Sequence, residues 1–245
     1  LSKIGDIKIK LHRPIEGKIK TCTIRRMPTG KWFACLSVEI EDAPLPPWKD
    51  GSVVGIDVGL ASFATLSNGE KIANPRFFRE EEKELARVQR KLSKAPKGTP
   101  ERKAALKVVE RVHERIANKR IDFANQVGHK LVDRFGVIVF EDLDIMNMLK
   151  NHNLAKSISD VAWGMLVKAT ESKAAYAGSK VVLVDPKYTS QMCSRCGMMV
   201  KKDLSERIHN CPECGLTMDR DLNAAINILR LGMQSVRKSD RSPVL

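Results

Sequence analysis

Cys193-Ser194-Arg195-Cys196-Gly197 and Cys211-Pro212-Glu213-Cys214-Gly215 are two turns of one kind, fourteen residues apart, and Asp219-Arg220-Asp221-Leu222-Asn223-Ala224-Ala225 follows them closely. Each Cys-x-x-Cys turn presents two thiolates to one metal ion, and two turns close the tetrahedral four-sulfur shell that zinc takes. A redox pair needs only one such turn. Gly197 and Gly215 follow the second cysteine of each turn, where a tight reversal favours a residue without Cβ. Four protein ligands leave the metal no open position, so Cys193, Cys196, Cys211 and Cys214 are expected to hold one structural zinc ion that stabilises the fold and does not activate water. His209 is surplus to that shell and is expected to be an exposed loop residue.

Downstream, residues 219–231 have helical spacing, with Leu222, Ala225, Ile226 and Leu229 on the expected inner face, and the remainder to residue 245 reads as a polar tail. Asp219 is placed to be the N-cap of that helix. Upstream, Lys180–Val184 and Val137–Phe140 are apolar runs expected to be buried strands. Ser157–Ala177 is helical, stopped by Gly178. Glu101–Phe135 is a long helix with a stripe of Leu106, Val109, Ile116, Phe123, Val127 and Leu131, and Glu80–Leu92 is a shorter one carrying Leu85, Val88 and Leu92. Ser52–Ile56, Ala61–Leu66 and a return near Lys71–Ala73 form a strand group. The proline-rich stretch Ala43–Asp50 reads as a linker. Residues 1–44 read as a small antiparallel sheet: Ile7–Leu11, Lys18–Arg26 and Trp32–Ile40, with Thr29-Gly30 as a turn. Strands, helices and further buried strands in this order argue for a mixed α/β layer fold. The opening at Leu1, in polar strand-like sequence, suggests missing N-terminal material.

The chain has 245 residues with 43 Lys plus Arg against 29 Asp plus Glu, a net charge of +14. That excess favours a polyanionic partner, because each cation that neutralises a phosphate releases counterions. Aromatic residues are only 5%, too few for an obvious run of base-stacking platforms. No apolar run approaches the roughly 20 residues of a membrane span. Paired Cys-x-x-Cys turns point to metal and a reducing cytosol, and the isolated Cys22 and Cys35 are expected to be buried free thiols.

Three acidic positions share a pattern. Asp57 ends an apolar strand, Glu141 directly follows Val137–Phe140, and Asp221 lies in the first turn of the last helix. A lone carboxylate at a strand end is usually a turn residue or cap. Two strand ends and one helix start, however, can converge at the edge of a single sheet. Such a cluster suits two Mg²⁺ ions roughly 4 Å apart and phosphodiester hydrolysis. Asp142 and Asp144 compete with Glu141, which emerges first, and Asp219 competes with Asp221.

Gly55-Ile56-Asp57-Val58-Gly59, Phe140-Glu141-Asp142-Leu143, Thr189-Ser190-Gln191-Met192 with the first cysteine turn, and Asp219 through Ile228 together resemble the TnpB family, transposon-encoded RNA-guided DNA endonucleases related to type V CRISPR effectors. The resemblance implies an RNase H-like RuvC nuclease fold with inserted helices and a zinc ribbon, preceded by a partial antiparallel β domain of wedge, or OB-like, type. The implied divisions are residues 1–50 for the wedge part and linker, 51–190 for the nuclease domain with a helical insertion at about 79–135, 191–218 for the ribbon, 219–231 for the final helix and 232–245 for the tail. The family's helical recognition region and first wedge strand have no counterpart here. The catalytic carboxylates map onto Asp57, Glu141 and Asp221, which would bind Mg²⁺. The ribbon lies between the second and third of them, so folding it returns the last helix to the sheet.

The expected function is RNA-guided DNA cleavage by two-metal hydrolysis. A guide RNA from the transposon end would pair with one DNA strand, and the protein would read a short adjacent motif. Lys187, Ser190 and Gln191 are candidate contacts to substrate phosphate. The expected state is a monomer in the prokaryotic cytosol or nucleoid. Strand transfer by a transposase-type protein, or nucleic-acid binding without catalysis, are the alternative readings.

Overall fold

The computed structural model describes residues 5–40, 52–148, 150, 163–203 and 206–239. The Ala43–Asp50 linker, the first residues of the Ser157–Ala177 helix and the end of the tail lie outside them. The chain divides into two compact units, Leu1–Pro44 with Glu82–Arg115, and Leu45–Glu81 with Ile116–Leu245.

In the first unit, β1 (Lys18–Arg26) pairs antiparallel with β2 (Trp32–Glu39). The hairpin closes through Gly30, whose N–H donates to the Met27 carbonyl at 2.9 Å, and the Arg26 guanidinium stacks on Trp32 directly opposite, 5.6 Å from the ring centre. Ile7–Leu11 forms no strand, because its alternation meets no partner among the described residues. Cys22 and Cys35 are exposed rather than buried. They sit in a two-stranded sheet whose β1 residues are all exposed, so a small apolar side chain there stays in water. Helix residues Leu85, Val88, Val109 and Val112 are buried, but Leu106, expected in the same stripe, is 45% exposed.

The second unit is built on a five-stranded sheet in the order β5-β4-β3-β6-β7. Its strands are β3 (Val53–Val58), β4 (Ser62–Leu66), β5 (Lys71–Ala73), β6 (Val137–Glu141) and β7 (Lys180–Val184). β3, β4 and β5 form an antiparallel meander, whereas β6 runs parallel to both β3 and β7. The helices are α1 (Phe77–Lys94), α2 (Pro100–Arg134), the short α3 (Ile145–Met148), α4 (Trp163–Ala177) and α5 (Arg220–Ser239). β7 was expected to be buried, but it is the sheet edge, and only Val184 of its residues is buried.

Strand alternation sorts the two faces. Val54, Ile56, Ile138 and Phe140 pack with Val127, Leu131, Val132 of α2 and Trp163, Leu166 of α4. Val137 and Val139 point the other way and pack with Ile228 of α5. With a side-chain period of two, Gly55 and Asp57 on β3 and Glu141 on β6 share the face that α5 covers. The helix continues to Ser239, past the expected stop at Leu231, because Leu231 and Met233 still pack against that face. The ribbon contributes a two-stranded sheet, β8 (Ile208–Asn210) with β9 (Thr217–Asp219). Among the described residues no helix is long and apolar enough to cross a membrane.

Candidate functional site

The four cysteines meet as their spacing requires. Their sulfurs all lie within 4.8 Å of one another, with Cys193–Cys214 at 3.6 Å and Cys196–Cys211 at 3.5 Å. Sulfurs about 2.3 Å from a tetrahedral zinc stand about 3.8 Å apart, so the cluster fits the ion. Both turns close the same way: Gly197 donates to the Cys193 carbonyl and Gly215 to the Cys211 carbonyl, with φ of +80° and +70°. Burial pushes the Cys193 thiol up, but backbone N–H groups of Cys196 and Arg195, with His209 and Cys214, hold it down at about 5. Cys196 goes the other way, to about 12: the Met198 N–H lowers it, but desolvation and the three neighbouring sulfurs raise it more. Metal binding requires thiolates, and a divalent cation among sulfurs packed this closely offsets their charge.

His209 is not the exposed loop residue expected. It is 0% exposed, on β8, with Nδ1 against the Lys202 ammonium. Its ring favours the Cys193 thiolate, yet Nε2 has no hydrogen-bond partner of full geometry. The histidine packs against the sulfur cluster, a burial that hydropathy does not announce.

The second cluster is set by where α5 crosses the sheet. A Cβ on Gly55 would stand 2.2 Å from the Ala225 carbonyl oxygen and 2.5 Å from the Leu229 nitrogen, so the helix backbone lies directly on β3. Asp57 is two residues further along β3, and Asp221 is one turn before Ala225. Glu141 extends β6 beside Asp57, one position past the Ile56–Phe140 pair. Asp57, Glu141 and Asp221 therefore converge at one sheet edge from three separate elements. Burial, then the charges of Glu141 and Asp221, push Asp57 well above the usual carboxylate range, with Arg220 opposing them. Burial also raises Glu141, opposed by a hydrogen bond from Thr189. Asp221 has Arg207 at 3.9 Å. Crowded, desolvated carboxylates of this kind are stabilised by a shared divalent cation, so this donor set fits Mg²⁺. Among the described residues the sulfurs are the one group of three or more ligands packed within 4.8 Å, and the carboxylates are spaced more widely.

The competing acids separate from the cluster. The Asp219 carboxylate accepts the backbone N–H groups of Asp221 and Leu222, both at 3.0 Å, which is N-cap geometry. It also accepts from Lys71 at 2.7 Å. Asp144 accepts the Asn147 N–H and caps α3, and Asp142 is exposed. Lys187, Ser190 and Gln191 lie on the turn after β7. Lys187 is exposed and 3.5 Å from Asp185, and Ser190 and Gln191 are half-buried.

The inner face of α5 differs from expectation. Ala225 is buried as expected, but its fully buried companions are Asn223, Asn227 and Ile228, and Leu222, Ile226 and Leu229 are only half-buried. The Asn223 amide donates to the Met192 carbonyl at 2.8 Å and accepts the Ser194 N–H at 2.9 Å. Asn227 donates to the Thr189 and Met192 carbonyls at 2.9 and 2.6 Å. These two asparagines and Thr189 carry the link between ribbon and sheet. The only trace in the sequence is two asparagines four apart in a helix, where asparagine is a poor helix former.

The chain is similar to known proteins over most of its length. Residues 35–152 match a family model described as "Probable transposase", and residues 163–228 match one described as "Cas12f1-like, TNB domain". Two curated relatives, each named "Putative RNA-guided DNA endonuclease", come from Streptomyces pristinaespiralis (41% identical over 93% of this chain) and Escherichia coli strain K12 (33% over 95%). The chain spans 57% and 61% of their lengths. A solved Cas12f1–sgRNA–target DNA complex shares the fold, with a TM-score of 0.55 over 84% of this chain and 55% of that one, at 19% identity.

Proposed function

We propose that the chain is a member of the TnpB family, as its matches to two family models and to curated relatives support, and that it acts in RNA-guided, metal-dependent cleavage of DNA. The carrying observation is the convergence of Asp57, Glu141 and Asp221 at one sheet edge, with Asp57 raised by burial and then by the charges of the other two. Two Mg²⁺ ions there would stabilise the attacking and leaving oxygens of a phosphodiester. The chain's own part is to hold that edge rigid and to bring the strand to it. β3 and β6 fix two carboxylates through their parallel pairing, and Gly55 seats the helix that carries the third. The basic surface holds the nucleic acid, and Lys187, Ser190 and Gln191 approach its phosphates beside β7. Specificity comes from a guide RNA of the transposon end, with the protein reading a short adjacent motif. The zinc ribbon is structural. The protein works as a monomer in the prokaryotic cytosol.

The test is to purify the full-length protein, sequence the RNA bound to it, and assay cleavage of matching DNA with Mg²⁺. Asp57→Ala, Glu141→Ala and Asp221→Ala should each abolish cleavage while retaining RNA. A variant that cleaves at the wild-type rate removes that residue from the site. A second reading, strand transfer, is favoured by the transposase description of the matching family model. A transposon-end joining assay separates the two, and no joined product is expected.

A further inference from the structure

Thr189 is 3% exposed, on the turn between β7 and the first cysteine pair. Its hydroxyl donates to Glu141 Oε1 at 2.5 Å. The same oxygen is 3.2 Å from the Pro186 carbonyl, but a hydroxyl has one proton, and the shorter bond to the charged acceptor takes it. On its other side the Thr189 carbonyl accepts from Asn227, which is fully buried and spends its second amide proton on the Met192 carbonyl. Met192 adjoins Cys193, and Asn223 grips both Met192 and Ser194. Hydrogen bonds from α5 thus tie down both the first cysteine turn and, through Thr189, the Glu141 carboxylate.

We propose that Thr189 is a positioning residue for Glu141, its hydroxyl fixing the carboxylate's orientation and Asn227 fixing Thr189 in turn. This rests on the reading of Glu141 as a metal-binding carboxylate. β6 ends at Glu141, so the backbone sets where its Cα lies but leaves the side-chain torsions free. A carboxylate that turns presents the wrong oxygen. The Thr189 bond occupies Oε1 and leaves Oε2 as the oxygen open to a metal ion. Because Asn227 lies on the helix that carries Asp221, two of the three carboxylates are aimed by one rigid piece. Partners of this kind behind a metal ligand are commonly worth about 10–100-fold in metal affinity.

The experiment is Mn²⁺ binding to the zinc-loaded protein, followed by the electron-spin resonance of free Mn²⁺, for wild type, Thr189→Val, Thr189→Ser and Asp57→Ala. Thr189→Val is expected to weaken binding about 10-fold or more, and Thr189→Ser, which keeps the hydroxyl, to stay close to wild type. Equal affinity of Thr189→Val and wild type overturns the positioning role. Wild-type binding that Asp57→Ala leaves untouched, or no binding at all, overturns the metal-site reading and the positioning role with it. A metal-free melting cycle of Thr189→Val, Glu141→Ala and the double variant, each single change removing one partner of the bond, tests the contact separately. The two single shifts should exceed the shift of the double variant when summed, and simple additivity overturns the contact itself.

Discussion

Gly55→Ala should loosen the helix that delivers Asp221. The new Cβ would lie 2.2 Å from the Ala225 oxygen, 2.5 Å from the Leu229 nitrogen and 2.7 Å from the Leu229 Cβ. Carbon and oxygen in close contact stand about 3.3 Å apart, so α5 must withdraw by about 1 Å. The obstacle is helix backbone, which cannot rotate aside as a side chain can. Overpacking of this kind costs about 1–3 kcal/mol, and a backbone clash belongs at the upper end. Replacing a strand glycine by alanine returns about 0.5–1 kcal/mol through the unfolded chain. The net loss is about 2 kcal/mol, and at about 2–4 °C per kcal/mol for a unit of this size the melting temperature falls by about 4–8 °C. Gly59→Ala is the matched control. Its Cβ would meet only the Ser62 oxygen, at 3.2 Å, so a shift of about 2 °C or less is expected. Calorimetric melting of the three zinc-loaded proteins reads the difference. Gly55→Ala melting at or above wild type would refute the seating of α5 on β3 and, with it, the route by which Asp221 reaches the sheet edge.

Asp57→Asn should stabilise the metal-free protein near neutral pH by roughly 1 kcal/mol, or about 2–4 °C, because it removes a buried charge beside two others; a lower melting point would contradict the crowding inferred for that edge. Asp57 and Glu141 bind protons more tightly folded than unfolded. Their favourable contribution is therefore complete below about pH 4, the unfolded carboxylate range, and is lost as pH rises through the raised folded values. Metal-free melting temperature should fall over that rise and recover with Mg²⁺, and a shallower profile in Asp57→Asn than in wild type, with the Glu141 part remaining, checks the assignment. Elemental analysis should find one zinc per chain, and Cys193→Ser should lose it and melt lower. Exchanging zinc for cadmium should move the melting temperature far more than the Mg²⁺-dependent cleavage rate, and an equal effect on both would place the ribbon metal in the chemistry.

Much of this was legible from the chain alone, for local reasons. Four sulfurs in two Cys-x-x-Cys turns have few ways to avoid one another, so spacing suffices to predict their cluster. Val137–Phe140 and Ser52–Ile56 are apolar runs too short for helices, and a carboxylate directly after each must emerge at a sheet edge. Asp219 two residues before Asp221 reads correctly as a cap because capping depends only on neighbouring backbone. Only the tertiary structure decided the face of α5, the burial of His209 and the place of Thr189. Hydropathy spacing put Leu222, Ile226 and Leu229 inward because it weighs transfer from water alone. A buried asparagine is admissible when its amide protons find acceptors, and the groups that Asn223 and Asn227 reach are carbonyls and an N–H more than 25 residues away in the chain. The same holds for Thr189, whose partner Glu141 is 48 residues distant. Local chemistry fixed which residues could bind metal, and long-range hydrogen bonding, invisible to any window of sequence, decided how they are aimed.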